Sequence, residues 1–193
     1  MDWFEEHVYV AQWLGPAATF SAVLVALFGP QWWGWWRQPK LTLEFEPGEP
    51  CVRTTELTNG VLTEWTRVRV RNTGRTSAQR CVPMLVRVAS NGAERKDIDP
   101  IQLRWAGIPR SRGFDPVNLA RGDFAYFNVL RQQENEKVAR FESFDYPDLD
   151  TGFLTVLPLS DSHKLTVTVT SDTARPASYQ LHYARTEPVL RFP

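Results

Sequence analysis

The sequence predicts an all-β protein, an antiparallel β-sandwich preceded by one N-terminal transmembrane helix. Three observations predict it. Residues 8–36 carry no charged side chain. Beyond Pro39, apolar residues recur with period two in short runs separated by turn residues. No stretch after residue 40 repeats near 3.6 residues, the spacing of an amphipathic helix. The boundaries that follow are a membrane helix with a Trp-rich belt over 1–38 and a β-sandwich domain over 39–193.

The uncharged run is 29 residues long, about 43 Å as a helix at about 1.5 Å per residue. Its most apolar part, WLGPAATFSAVLVALF over 13–28, is short of the roughly 20 residues a bilayer core needs. Extension through the tryptophans to residue 36 supplies the rest, with Gly29-Pro30 as a kink. Trp13 at one end and Trp32, Trp33, Trp35 and Trp36 at the other fit interfacial belts. A secretory leader would start basic, whereas this chain starts with Asp2, Glu5 and Glu6. Arg37 and Lys40 follow the span, so the positive-inside rule sets the C-terminal domain in the cytoplasm and the protein in the inner membrane, single-pass. Ala18, Ala22 and Ala26 recur every four residues, a spacing that lets helices approach closely in lipid. The lipid bilayer and further copies of the chain are therefore expected partners.

The strands follow in order. LTLEFE (41–46) sets Leu41, Leu43 and Phe45 against polar neighbours. VLTEWTRVRVRN (61–72) alternates Val68 and Val70 with Arg67, Arg69 and Arg71, after the hairpin signal Thr58-Asn59-Gly60. RCVPMLVRVA (80–89) is a third strand, whose Pro83 suggests an edge or a bulge; Ser90-Asn91-Gly92 makes the next turn. Further strands are read over 101–105, 124–131, 136–142, 152–158, 164–171 and 178–184. Strands this short and this numerous, with turns between them, imply an antiparallel sandwich.

VRVRNTGRTSAQRCVPMLVRV (68–88) resembles the strand-turn-strand element of bacterial immunoglobulin-like sandwich domains, in which a strand ends on an Asn-x-Gly turn. NLARGDFAYFNVL (118–130) resembles the Gly-Asp turn opening a later strand of those domains, and KLTVTVTSDTARPASYQLHYA (164–184) their closing hairpin. The resemblance implies an immunoglobulin-like fold over most of 40–184. The whole plan is similar to bacterial membrane-anchored proteins that carry a cytosolic sandwich, among them sensors and effectors of antiphage defence, which implies a signalling or effector role.

Formal charge is zero, divided as −3 over residues 1–36 and +3 over the remainder. That surplus is too mild to point to double-stranded nucleic acid. Cys51 and Cys81 are compatible with one bridge or with two buried thiols, and a cytoplasmic domain favours the thiols. His7, His163 and His182 have no second ligand at zinc spacing, no serine sits in a nucleophile elbow, and no phosphate-cradling glycine loop occurs. No enzyme activity and no cofactor are expected. Asp145, Asp148 and Asp150 crowd one loop without the spacing of a calcium loop. Arg121-Gly122-Asp123 reads as a Gly-Asp turn.

The candidate ligand surface is the ladder Arg67, Arg69 and Arg71. Period-two spacing sets these guanidiniums on one face of one strand, with Trp65 in line, Arg75 in the following turn and Arg104 in a nearby loop with Arg110 and Arg112. Guanidinium forks suit phosphate oxygens, and Trp65 suits a stacked base. The competing reading is an ordinary sheet face of Arg paired across strands with Glu or Asp. The function expected is a non-enzymatic membrane protein whose sandwich binds a nucleotide, another anionic ligand or a protein partner, and whose helices assemble. A simple tethered interaction module and a periplasmic domain of reversed topology are the alternatives.

Overall fold

The computed structural model describes residues 18–29, 37–56, 60–95, 99–134, 136–141 and 156–184. The chain divides into two compact units, Met1–Gln38 and Pro39–Pro193.

In the first unit an α-helix is described over 18–29. It reaches about 18 Å at 1.5 Å per residue, against a bilayer core of about 30 Å. Among the described residues no helix is long and apolar enough to cross a membrane. The expectation of a single-pass inner-membrane protein with a cytoplasmic C-terminal domain is therefore corrected. Trp13, Trp32, Trp33, Trp35 and Trp36, assigned to the interfacial belts, lie outside the described residues; Arg37 is exposed. Ala18, Ala22 and Ala26 are exposed along the helix, as are Phe20, Val25, Leu27 and Phe28.

The second unit is built of two antiparallel sheets. One is ordered β1 (Leu41–Glu44), β3 (Leu62–Asn72), β9 (Phe124–Gln133), β10 (Val138–Arg140), β11 (Val156–Pro158). β2 (Val52–Glu56) continues β1 along the same edge of β3, and β7 (Arg104–Trp105) pairs β9 beside β10. The other runs β13 (Ala177–Ala184), β12 (Ser162–Thr170), β4 (Ala78–Ser90), β5 (Ala93–Glu94). β6 (Ile101–Gln102) and β8 (Val117–Leu119) share the β5 edge of β4.

The alternations that predict these strands are those that fill the core. Leu165, Val167 and Val169 of β12 are fully buried and face Val68, Val70 and Phe127 of the first sheet in one cluster with Leu85 and Val88. Trp105 meets Phe127 edge-to-face, ring centroids 6.1 Å apart. Tyr183 on β13 donates its hydroxyl to Gln132 Oε1 on β9 at 3.0 Å, a polar tie from one sheet to the other.

The structure redraws three parts of the sequence reading. The single strand expected at 101–105 is two, because the chain leaves β4 after Gln102, buries Leu103, and joins β9 at Arg104. Pro83 does not mark an edge. It lies inside β4, which is paired on both sides, at the point where one flank passes from β8 to β6, and its own carbonyl accepts from Leu103 N at 2.9 Å. β2, β5 and β8 escaped the pattern because VRTTE has no apolar alternation and the other two are only two and three residues long. The Asn91-Gly92 turn joins β4 to β5 with both residues at positive φ, 51° and 83°, the two-residue form whose twist matches a hairpin.

Asn72 closes the end of β3. Its side chain is fully buried. Oδ1 accepts from Lys40 N at 3.2 Å and Gly74 N at 3.0 Å, while Nδ2 donates to Thr76 O at 2.7 Å and Leu119 O at 2.9 Å. A Cβ on Gly74 would lie 2.3 Å from Lys40 N, so only glycine lets the β1 entry and the β3 exit touch. The Asn-x-Gly turn thereby ties β1, β3 and β8 at one end of the sheets.

Candidate functional site

The sequence WTRVRVRN alternates strictly, so β3 has two chemically opposite faces. Thr66, Val68, Val70 and Asn72 are buried inward, whereas Trp65, Arg67 and Arg69 are half-buried outward and Arg71 is exposed. Register decides which side chains stand beside each of these, because directly paired residues of an antiparallel sheet project on the same side.

Arg69 pairs Tyr126 on β9 and Glu44 on β1. Its Nε donates to Glu44 Oε2 at 2.9 Å, a second donor meets the same carboxylate, and Glu46 lies 4.0 Å away. Glu44 first, and Tyr126 in addition, hold the Arg69 guanidinium above its usual pKa. For this residue the ordinary ion-paired surface is the correct description. Arg71 pairs Thr42 and Phe124, the latter exposed and in edge contact with Tyr126 at 5.8 Å.

Arg67 is different. It pairs Asn128, and its Nε donates to Asn128 Oδ1 at 3.1 Å, a neutral acceptor. Burial, and then the like charge of Arg53, hold Arg67 below its usual pKa. The same row continues to Arg104 on β7, which also pairs Asn128. Arg104 is fixed from behind. It donates to Ile108 O at 3.1 Å, and the chain returns so closely over its stem that a Cβ on Gly113 would sit 2.6 Å from Nε.

Trp65 lies one row further along. Its indole Nε1 donates to Thr55 Oγ1 on β2 at 2.9 Å, which sets the ring's orientation. Its direct cross-strand neighbours are Arg53 on β2 and Arg131 on β9, and Arg131 in turn pairs Arg140 on β10. Arg140 is engaged by Glu136 at 3.4 Å.

Of the candidate residues, Trp65, Arg67, Arg69, Arg71 and Arg104 are thus brought to one sheet face. Arg75 is not: it is exposed in the turn between β3 and β4, off the face. Arg112 pairs Asp115 at 3.1 Å in its own loop. The residues that sequence reasoning missed are Arg53, Arg131 and Asn128. The signal for Arg131 was present in FAYFNVLR, but nothing in a linear pattern tells that it stands beside Trp65. A bulge intervenes, since Thr66 pairs Leu130 while Arg67 pairs Asn128, leaving Val129 as the extra residue.

Among the described residues, the remaining histidines, cysteines and carboxylates form no group that could hold a metal ion. His163 is buried in β12, where Nε2 donates to Pro158 O at 2.7 Å and Nδ1 meets Ser90 Oγ at 2.9 Å. His182 is exposed, and Cys51 and Cys81 are buried free thiols. Arg121-Gly122-Asp123 forms the β8–β9 turn, with Gly122 at φ 84° and Asp123 Oδ2 accepting from Ala120 N at 3.1 Å. Asp145, Asp148 and Asp150 lie outside the described residues.

No protein-family model matches the chain, and no curated protein matches it.

Proposed function

We propose that the chain is a non-enzymatic binding module of the immunoglobulin-like class, whose arginine-bearing sheet face holds an anionic partner and whose helix over 18–29 brings copies together. The observation that carries the first part is the state of Arg67. A guanidinium that is half-buried, beside the like charge of Arg53 and hydrogen-bonded to a neutral amide, retains charge that no carboxylate among the described residues pairs. An oxyanion placed on its fork relieves both the desolvation and the repulsion from Arg53. Arg69, already closed by Glu44, supplies no such demand.

Titration of the full chain with inorganic pyrophosphate, followed by calorimetry, tests this. Saturable binding that weakens as salt rises is expected. Arg67→Ala weakens it about ten-fold or more, the loss of one charge-assisted contact, while Arg112→Ala leaves it unchanged. Equal affinity in Arg67→Ala and the parent chain refutes the assignment.

The second part rests on the helix surface. Phe20 is 65% exposed and Val25 68%, and no face of this helix is polar enough to be a solvent face in a single copy. Ala18, Ala22 and Ala26 form the row along which two such helices approach most closely. Molar mass by light scattering is expected to exceed one chain and to fall in the triple variant Ala18→Leu, Ala22→Leu, Ala26→Leu. An unchanged mass removes the helix from the assembly.

A further inference from the structure

The uncompensated positive charge of the arginine face is bounded on two sides. Along β3 it stops at Arg69, which Glu44 and Glu46 occupy. Across the sheet it stops at β10, where Glu136 engages Arg140. Between these limits Arg53, Arg67 and Arg131 have no carboxylate partner among the described residues. Two of the three, Arg53 and Arg131, flank Trp65 directly across the sheet, and Arg67 follows it by two residues on the same face. The patch therefore measures about 7 Å along the strand and about 10 Å across three strands. Within it, Arg131 Nε is shielded from solvent without a hydrogen-bond partner. The Trp65 indole paired beside it is held by Thr55.

We propose that this patch is a subsite for a single nucleotide, with the base stacked on Trp65 and the phosphates on the forks of Arg67 and Arg53, Arg131 contributing from the far side of the ring. The inference rests on the anion-binding reading above and adds the ligand class. Two features select it. A planar π surface at the centre of uncompensated guanidiniums matches a ligand that joins a planar heterocycle to phosphate. Carboxylates at both limits oppose a polymer, since the next phosphates of a nucleic-acid strand would meet Glu44 and Glu46 in one direction and Glu136 in the other.

Calorimetric titration of the full chain with ATP, AMP, pyrophosphate, a fifteen-nucleotide oligothymidylate and a tyrosine-phosphorylated peptide tests the proposal. ATP is expected to bind about ten-fold tighter than pyrophosphate, the increment that stacking one base supplies. Trp65→Ala should bring ATP to the level of pyrophosphate without changing pyrophosphate itself, while Trp65→Phe keeps most of the difference. Arg67→Ala should weaken both ligands. If pyrophosphate binds as tightly as ATP and depends on Arg67, the anion site stands and the nucleotide assignment is overturned. Tighter binding of the oligonucleotide per site, or of the phosphopeptide, than of any mononucleotide also overturns it. If neither ATP nor pyrophosphate binds, both readings fall. Should Trp65→Ala fail to fold, the parent chain's preference for ATP over pyrophosphate decides the matter alone.

Discussion

Replacing Asn72 with Ala removes the tie at the end of the sheets, and the cost can be worked from its partners. Four backbone groups lose their mate: Lys40 N, Gly74 N, Thr76 O and Leu119 O. Lys40 and Thr76 belong to exposed residues, so water replaces the side chain there. Gly74 and Leu119 are buried and stay unsatisfied. At about 1–3 kcal/mol for each buried group left without a partner, the two together make a loss of about 4 kcal/mol a central value. For a domain of this size about 2–4 °C of melting temperature accompanies each kcal/mol, so the transition should fall by roughly 8–16 °C. Asn72→Asp is nearly the same shape but turns an acceptor toward the carbonyls of Thr76 and Leu119, so it should do at least as much harm. Circular dichroism melting, with urea midpoints at unchanged m-value, is the assay. A shift below about 2 °C for Asn72→Ala would refute the claim that this side chain is a buried hub.

Gly74→Ala should lower the urea midpoint by an amount equivalent to about 2 kcal/mol or more, because the added Cβ meets backbone of Pro39 and Lys40 that cannot step aside. Combined with Asn72→Ala it should be less than additive, since both act on one knot. Glu44→Ala should cost under about 1 kcal/mol, because the Arg69–Glu44 pair is roughly a third exposed and solvent screens it. Burial, the largest influence, pushes the Cys81 thiol above its ordinary value. The unfolded chain therefore loses that proton first as pH climbs past about 8.5. From there up to the folded value the native state binds more protons, and stability declines with pH. Below that window the thiol contributes no slope, and Cys81→Ala should flatten the decline in chemical-denaturation curves collected between neutral and alkaline pH.

Much of the sheet structure was legible in the linear pattern, for a simple reason. In β3, β4 and β12 alternate residues largely meet either the core or the solvent, so their identities print a period of two. The Asn72-Thr73-Gly74 and Asn91-Gly92 turns were equally legible, since their backbone demands belong to particular residue types. Short or polar strands such as β2 left no such print. Their pairing depends on backbone hydrogen bonds that any sequence can make, and Arg53 was lost with them. The uncharged N-terminal run was read as long enough to span a bilayer by counting its residues through the tryptophans, whereas among the described residues no helix is long and apolar enough to cross a membrane.

The arginine ladder separates the two sources of information most clearly. By itself the sequence determined that Arg67, Arg69 and Arg71 share a face, because the pleat of a strand dictates it. Only the tertiary structure decided that they are not equivalent. Strand order and register gave Arg69 a carboxylate from β1, and gave Arg67 an amide from β9 and a second arginine from β2. Charge compensation is a property of neighbours across strands, and those neighbours are distant in the chain.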